Sequence, residues 1–584
     1  MEKWQITLFE TPWWLLETFL SIVMVCVVII FCLSKTRFGQ QFAQIVQPSL
    51  TKKSLLKLIL ALSIMLLLLL TEVRLNVLNT FLYNGMYASL QKMVWVAFWS
   101  FALANVVVVC LRSLNDSFNS FLDKALAIKW SESLNQILLE RWLKDKNYYR
   151  LQKQHEKPDN IDQRIQQDVQ DFISTTIEFI RGMVDAIVSA IEFTIVLWGL
   201  SGVLSLFGVD IPGWIVFFVY IFVILTTSLA MWIGKPLVRY NYDNEKLNGN
   251  YRYSLIRVRD YAESIAFYQG EEPEKKHLLA RYASIIHNRW KIAKQSVLLT
   301  GFNTLLTQGV QLLPLMLQAP RFFAGQITIG DMHQTVQSFN RLQRALSFFR
   351  NFYESFTAYR ARLERLSGFM SQLDNMPEIT QATLDKTDEC LLLKDVTLYR
   401  RDGSVLVDHI HFSAKAGDAL LIKGPSGCGK TSLLRMLAGI WTHGSSGYVQ
   451  HPSQNDTMFV PQHAYMPEGG LREGICYPNI QVKEGELEEA MRLCCLEKWI
   501  YHLDRGDGWQ QRLSPGELQR IAFIRVLLTK PKFILLDEST SALDEETERR
   551  VYQVIKEQLP DSIIVSIGHR SSLEQYHNKI YHLA

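Results

Sequence analysis

The sequence predicts a two-part chain: an α-helical membrane half followed by an α/β phosphate-loop domain. Three observations carry this. Nearly all long apolar runs fall before about residue 350. From Leu391 onward, short strand-like apolar runs alternate with helical ones. Among these, "GPSGCGKTS" at 424–432 follows such a strand and opens such a helix. At 584 residues the chain exceeds one ordinary core. Its hydrophobic share of 48% and mean hydropathy of +0.04 average over two unlike halves.

A run of about 18 mostly apolar residues can cross a ~30 Å hydrocarbon layer. Such runs lie at 13–33, 55–78, 93–111, 183–207 and 211–233, with two more polar ones at 297–317 and 327–349, seven in all. The first is too long for a signal core and lacks a small-x-small site before Lys35, so it is expected as an extra N-terminal span. About six core spans then follow. Lys35, Arg37, Lys52, Lys53 and Lys57 crowd the first connection and assign it to the cytoplasm. Counting on, 112–180 and 234–294 become two long cytoplasmic excursions, while "GVDIPG" and "QAPRFFAG" are short outer links. Helix-spaced apolar positions in "KALAIKWSESLNQILLERWLKDKNYY" predict that the spans continue into the cytoplasm as helices. The expected boundaries are an extra span and link at 1–50, a transmembrane domain at 51–370, a polar linker at 371–390 and a nucleotide-binding domain at 391–584.

A net charge of +4 without a dense basic block argues against a nucleic-acid partner. The eight cysteines lack metal-ligand spacing and read as buried free thiols.

In the phosphate loop, Gly424, Gly427 and Gly429 let backbone N–H groups turn inward around phosphate oxygens, with Ser426, Cys428 and Ser432 completing the cradle. Lys430 is placed to reach the β- and γ-phosphates of ATP, and the Thr431 hydroxyl to hold Mg²⁺. "FILLDE" ends an apolar strand in Asp537, suited to anchoring the metal, and Glu538, suited to polarising water. His569 follows the strand "SIIVSIG" and reads as a γ-phosphate sensor.

Together with "LSPGELQR" from Leu513 and "SALD" at 541–544, these motifs resemble the nucleotide-binding domain of an ABC transporter over about residues 390–584. The resemblance implies that Gln462 in "FVPQ" links the nucleotide site to the membrane domain, joining Thr431 and Asp537 at the metal and Glu538 and His569 in catalysis. It implies that Tyr399 stacks on adenine and that Asp544 belongs to the nucleotide site. It further implies that Ser514, Gly516 and Glu517 bind ATP held by the opposite subunit. Two departures stand in that signature: Pro515 lacks an N–H donor, and Glu517 replaces a glutamine. One nucleotide domain and one membrane domain make a half-transporter of the exporter-like (type IV) fold. A homodimer is the simplest completion, with a heterodimer open.

"DKNYYRLQ", "DNIDQRIQQD", "AESIAFYQGE", "GQITIGDMHQT" and "SIGHRSSLEQYH" narrow the resemblance to the fatty-acid and cobalamin subfamily D and its SbmA/BacA-like bacterial relatives. Such transporters carry short coupling helices at the ends of their inner excursions. These are expected at 152–162 and 243–253, with "YAESIAFYQGEE" as the helix rising after the second. Compact Ala262, Ser264, Ala266 and Gly270 would permit close helix contact there. Glu178, Arg181, Asp185, Ser189 and Glu192 share one helix face, as do Asp331, Gln334, Ser338 and Arg341. Charges at membrane depth are costly and usually face a cavity or a partner. Asp185, Glu192, Asp331, Gln334 and Arg341 are therefore the expected cargo-cavity residues, with the acidic face suited to a cationic peptide or another polar cargo such as cobalamin.

Fatty acids or fatty acyl-CoA, an ATP-gated sensor or channel, and either direction of transport stay open. A soluble ATPase acting on ribosomes or DNA is disfavoured by the charge-consistent spans. A bacterial inner membrane is the expected location, with a peroxisomal or lysosomal membrane as the eukaryotic alternative.

Overall fold

The structure, a computed structural model, describes residues 3–50, 52–154, 161–206, 209–376, 382–386, 390–453, 456–478, 480–483, 485–506 and 508–583. The chain divides into two units, Met1–Met376 and Pro377–Ala584.

The first unit is helical: α1 (Lys3–Ser34), α2 (Lys52–Gln91), α3 (Trp95–Leu143), α4 (Val169–Ser201), α5 (Trp214–Asp260), α6 (Ala262–Phe267), α7 (Glu271–Phe323), α8 (Ile329–Leu346) and α9 (Phe348–Asp374), with shorter turns between. Among the described residues, five helices, α1 to α5, are long and apolar enough to cross a membrane. The two polar candidates are also helical, in α7 and α8. Their buried glutamines find partners inside the unit: Gln318 of α7 donates to the Leu200 carbonyl and to Thr335 of α8, and Gln334 of α8 donates to Thr80. The most apolar window of α1 buries nothing within the unit. Such a surface suits lipid, not water.

Helix α4 stops at Ser201, short of the expected 207. Gly202 takes φ +66° and turns the chain into a hairpin, Val203–Leu206 against Val209–Pro212. A Cβ at Gly202 would lie 2.6 Å from the Arg321 guanidinium, which would have to shift, and the positive φ strains any residue but glycine there.

At 49 and 53 residues, α3 and α7 are about 73 and 80 Å long, more than twice a ~30 Å hydrocarbon layer. Both helices project well outside it. Along the α5–α7 pair, Arg281, Asn288 and Gln295, each seven residues apart, donate to the carbonyls of Asn250, Tyr240 and Ile233.

Here two expectations change. Residues 243–253, expected as a docking element, lie inside the unbroken α5. The chain instead reverses at 261–270, where Gln269 adopts a left-handed φ of +52° before Gly270 and α7. "YAESIAFYQG" is thus the tip of the hairpin, and not a rising helix. Its small residues are not packed against a neighbour, and Tyr261, Phe267 and Tyr268 are 60%, 78% and 87% exposed. The other expected docking element, 152–162, lies largely outside the described residues; what is described around it are the short helices Asn147–Gln152 and Ile161–Gln163.

Helix α9 runs to Asp374, past the expected start of the linker at 371, and residues 377–381 and 387–389 of that linker lie outside the described residues. Cys494 is buried, but Cys32 and Cys110 are exposed on their helices, contrary to the expectation of buried thiols.

The second unit contains β1 (Cys390–Tyr399), β2 (Val405–Lys415), β3 (Ala419–Lys423), β4 (Ser445–His451), β5 (Thr457–Val460), β6 (Phe533–Asp537), β7 (Ile563–Ile567) and β8 (Lys579–His582). Among the described residues, β8-β3-β7-β6-β5 form a wholly parallel sheet. Strands β1, β2 and β4 belong to a second, largely antiparallel sheet. Leu421, Ile422, Ile534, Leu535 and Val565 are buried, as expected of central parallel strands covered on both faces. In register, Asp537 stands opposite Ile567, and Ile567 opposite Ile422. The loops after β3, β6 and β7 therefore leave the sheet side by side, at the carboxyl end where α/β sheets bind ligands.

Candidate functional site

The loop after β3 leads into α10 (Lys430–Leu437). Gly429 caps that helix at φ +103°, and a Cβ there would lie 2.5 Å from Val407 Cγ2, so only glycine fits. Ser426 and Gly427 are exposed at the crest, and the Cys428 N–H points back to the Pro425 carbonyl at 3.5 Å. Lys430 is buried, its ammonium 2.8 Å from the carbonyls of Gly424 and Pro425, and Ser432 is half-buried one turn into the helix. A helix N-terminus behind a glycine-rich crest, with the Lys430 cation held beside it, suits phosphate.

Thr431 donates its hydroxyl to Asp537 Oδ1 at 3.0 Å. Burial pushes the Asp537 carboxyl above its ordinary range, and the Thr431 hydrogen bond opposes the shift. Next to it, Glu538 holds a left-handed φ of +47°, costly for a side-chain-bearing residue. Its N–H is tied to the Ile567 carbonyl at 3.1 Å. The Glu538 carboxylate receives Gln462 Nε2 at 3.2 Å, and His569 Nε2 lies 3.3 Å from its other oxygen. The structure thus brings together Lys430, Thr431 and Asp537, and separately Gln462, Glu538 and His569, on neighbouring strand ends.

The signature begins α11 (Pro515–Thr529). Ser514 caps it, accepting the Glu517 N–H and donating to the Glu517 carboxylate. Proline at the first helical position costs nothing there, because that N–H has no partner within the helix anyway. Among the described residues, the signature makes no hydrogen bond to the phosphate loop. Asp544 caps α12 (Glu545–Gln558) by accepting the Thr547 N–H at 3.1 Å, an interaction that holds its carboxyl low. Tyr399 ends β1 half-buried, its hydroxyl 3.1 Å from Ser446 Oγ.

Two residues went unread in the sequence. Gln519, 3% exposed, donates to the Gln462 carbonyl and to Ser541 Oγ and accepts the Ala542 N–H, joining three motifs through one amide. Arg570 donates to the carbonyls of Ser541 and Leu543. Both stand within or beside motifs quoted from the sequence, but only the motif positions ahead of them were assigned roles.

In the membrane unit the five expected cavity residues have partners. Asp331 forms a capping box with Thr328 and accepts Asn84 Nδ2 at 3.0 Å. Buried Gln334 accepts from Asn84 and donates to Thr80. Arg341 donates to Asn76, and Ser189 donates to Asp185. Glu192 accepts the Trp14 indole N–H at 2.8 Å and pairs with Arg74 at 3.3 Å. Arg181 pairs with Asp123 and Glu72, while Glu178 is exposed. On this face Glu192 is matched by an arginine and Asp185 by a hydroxyl, so neither stands as free negative charge. The partners come largely from a stripe on α2, Glu72, Asn76, Thr80 and Asn84, at four-residue spacing. That spacing was visible in the sequence, beginning inside the run at 55–78 noted only as apolar and continuing past its end. Gly330 lets α8 approach this stripe; a Cβ there would lie 2.3 Å from the Asn84 carbonyl.

The family "ABC transporter transmembrane region 2" matches residues 42–323, and the family "ABC transporter" matches 407–541. An ABC transporter ATP-binding protein of Haemophilus influenzae is 50% identical over 99% of this chain and 98% of its own. ABC transporter D family member 2, chloroplastic, of Arabidopsis thaliana is 32% identical over 80% of this chain and 74% of its own. The human lysosomal cobalamin transporter ABCD4 is 27% identical over 82% and 84%. The solved structure of a bacterial Atm1-family ABC exporter with ATP bound superposes with a TM-score of 0.70 at 18% identity, covering 90% of this chain and 93% of its own, a likeness of fold. One membrane region of exporter-like fold is joined to one ATP-binding domain, so the protein is an ATP-hydrolysing half-transporter that completes itself by dimerising in a membrane, and the chain belongs to the ABC transporter family.

Proposed function

We propose that two copies of the chain form an ATP-driven transporter in a bacterial inner membrane, with the nucleotide-binding units in the cytoplasm. One observation carries the reading: Gln462 and His569 both reach the Glu538 carboxylate, beside the Thr431–Asp537 pair. Lys430 and the loop amides hold the phosphates. Glu538 accepts a hydrogen bond from the attacking water, Gln462 orients that water, and His569 faces the γ-phosphate. The Thr431 hydroxyl, the Asp537 carboxylate and the Gln462 amide oxygen are hard donors of the kind Mg²⁺ takes. Bound there with ATP, the ion neutralises phosphate charge. Tyr399 offers a ring for adenine at the end of β1, and Ser514, Gly516 and Glu517 address ATP held by the second copy. Asp544 acts indirectly, setting the loop before α12.

The tip at Tyr261–Gly270 is the coupling element proposed in place of 243–253. Its exposed aromatic residues give it an apolar surface. The proposed cargo is polar or amphipathic, a cobalamin-like molecule or a peptide. The human relative's name, with its cobalamin, supports this, as does a membrane core whose polar stripe balances acids against arginines.

Glu538→Gln in lipid vesicles tests the reading. ATP turnover should fall by about 10²-fold or more, with ATP binding retained and cargo movement lost. Full turnover in that variant would refute the assigned role.

A further inference from the structure

Glu517, the charged departure in the signature, has both carboxylate oxygens occupied. Oε2 accepts the Ser514 N–H at 2.8 Å and the Ser514 hydroxyl at 2.9 Å. Oε1 accepts the Trp499 indole N–H at 2.8 Å and the Lys498 ammonium at 2.7 Å. The side chain is 6% exposed. Burial alone would raise its pKa, but these hydrogen bonds, led by that of Lys498, hold it at about 2. The anion suits the first turn of α11, where it caps the helix and meets the positive end of the dipole. It also stands within one turn of Ser514 and Gly516, the groups addressed to a γ-phosphate. Two uncompensated anions at such range repel. Among the described residues, Lys498 is the one cation within ion-pair distance of Glu517. Its ammonium also lies 5.1 Å from the Trp499 ring centroid, so one indole supports both members of the pair.

We propose that Lys498 is a positioning residue for ATP hydrolysis, cancelling the Glu517 charge so that the first turn of α11 accepts the γ-phosphate of the nucleotide carried by the second copy. This rests on the two-copy ATP site proposed above. Lys498 touches no nucleotide; it acts through Glu517. Because its side chain is 63% exposed, water replaces part of its contact with Glu517 when it is lost, and the Ser514 and Trp499 hydrogen bonds remain, so the larger loss belongs in the kinetics.

The test is steady-state ATPase of the full chain in lipid vesicles, with thermal unfolding alongside. Lys498→Ala should raise the KM for ATP about tenfold, with the smaller change in kcat, and leave the melting temperature unchanged. The KM defect should narrow at high salt. Lys498→Arg should restore the KM. The double variant Lys498→Ala/Glu517→Gln should recover most of the loss, because glutamine keeps an oxygen for the Ser514 cap and removes the charge. An unchanged KM in Lys498→Ala overturns the proposal, as does a loss that Glu517→Gln fails to recover. If Glu538→Gln abolishes turnover while Lys498→Ala behaves as wild type, only this inference falls. If Glu538→Gln turns over normally, the ATP-site reading falls with it.

Discussion

Replacing Glu192 with alanine should unlatch α1 from the membrane core. Glu192 holds Trp14 and Arg74, and Arg74 in turn donates to the Thr7 carbonyl and the Thr11 hydroxyl and lies 5.0 Å from the Trp14 ring centroid. The two charged side chains are 10% and 12% exposed, so removing the carboxylate strands a guanidinium in apolar surroundings. At 3.3 Å and an effective dielectric near 20, the gross attraction is about 5 kcal/mol. Desolvation offsets part of this, and losing one partner of a buried pair costs about 3–5 kcal/mol. Glu192→Gln keeps an acceptor for Trp14 and should cost less. Arg74→Met/Glu192→Leu removes both charges and should cost least. Thermal unfolding of the full chain in detergent, with protease access to the α1–α2 connection, reads the series. Wild type and the double variant should be most stable, then Glu192→Gln, then Glu192→Ala. If Glu192→Ala unfolds like wild type, or the double variant is as weak as Glu192→Ala, the latch is wrong. An unchanged melt with an altered cargo profile would return Glu192 to the transport path.

Gln519→Ala removes three hydrogen bonds that join the Gln462 loop, the signature helix and the loop before α12, and should lower kcat about tenfold with less effect on ATP binding. Equal ATPase rates in the variant and wild type would remove that role. His577 is buried between the Leu573 carbonyl and Ser566, and desolvation lowers its pKa from 6.5 to about 4. Because the folded state favours the neutral ring, this stability is present above 6.5 and is lost as pH falls toward 4, about 3 kcal/mol in all. Denaturant unfolding followed by tryptophan fluorescence across that window should show the loss, and His577→Asn should flatten it; parallel profiles would contradict it.

The nucleotide-binding half was legible because its chemistry is local. A glycine-rich loop, a strand ending in two carboxylates and a histidine after another strand each announce their own backbone context, and parallel pairing of β3, β6 and β7 brings them to one edge. The membrane half was legible only as spans. Asp185 and Glu192 were found as charges on an apolar helix, but charge alone does not name a partner. Arg74, Asn76 and Asn84, the partners of Glu192, Arg341 and Asp331, lie on α2, two helices away in sequence from Glu192 on α4 and six from the other two on α8. The hairpin tip was misplaced for a different reason. Nothing in "DNEKLNGNYRYS" breaks a helix except Gly249, a modest cost that a long packed pair absorbs. The reversal depends instead on a left-handed Gln269, a residue with no strong preference for that conformation.

That long pair also explains how a tip can act at a distance. Arg281, Asn288 and Gln295 bind backbone carbonyls of α5 at intervals of two turns, and directional bonds onto backbone acceptors resist sliding more than apolar contacts do. Helix α7 carries Pro273 in its first turn, where proline is tolerated, and Pro314 and Pro320 beyond the last of these rungs. Between Pro273 and Pro314 the helix is therefore free of the commonest cause of kinks. Past Pro314, Gln318 and Arg321 grip the Leu200 carbonyl at the end of α4, and Gln318 also grips Thr335 on α8. A displacement of the exposed tip is thus carried by a welded two-helix lever to a proline-softened end. There it meets α4 and α8, the helices whose side chains pair with the polar stripe on α2.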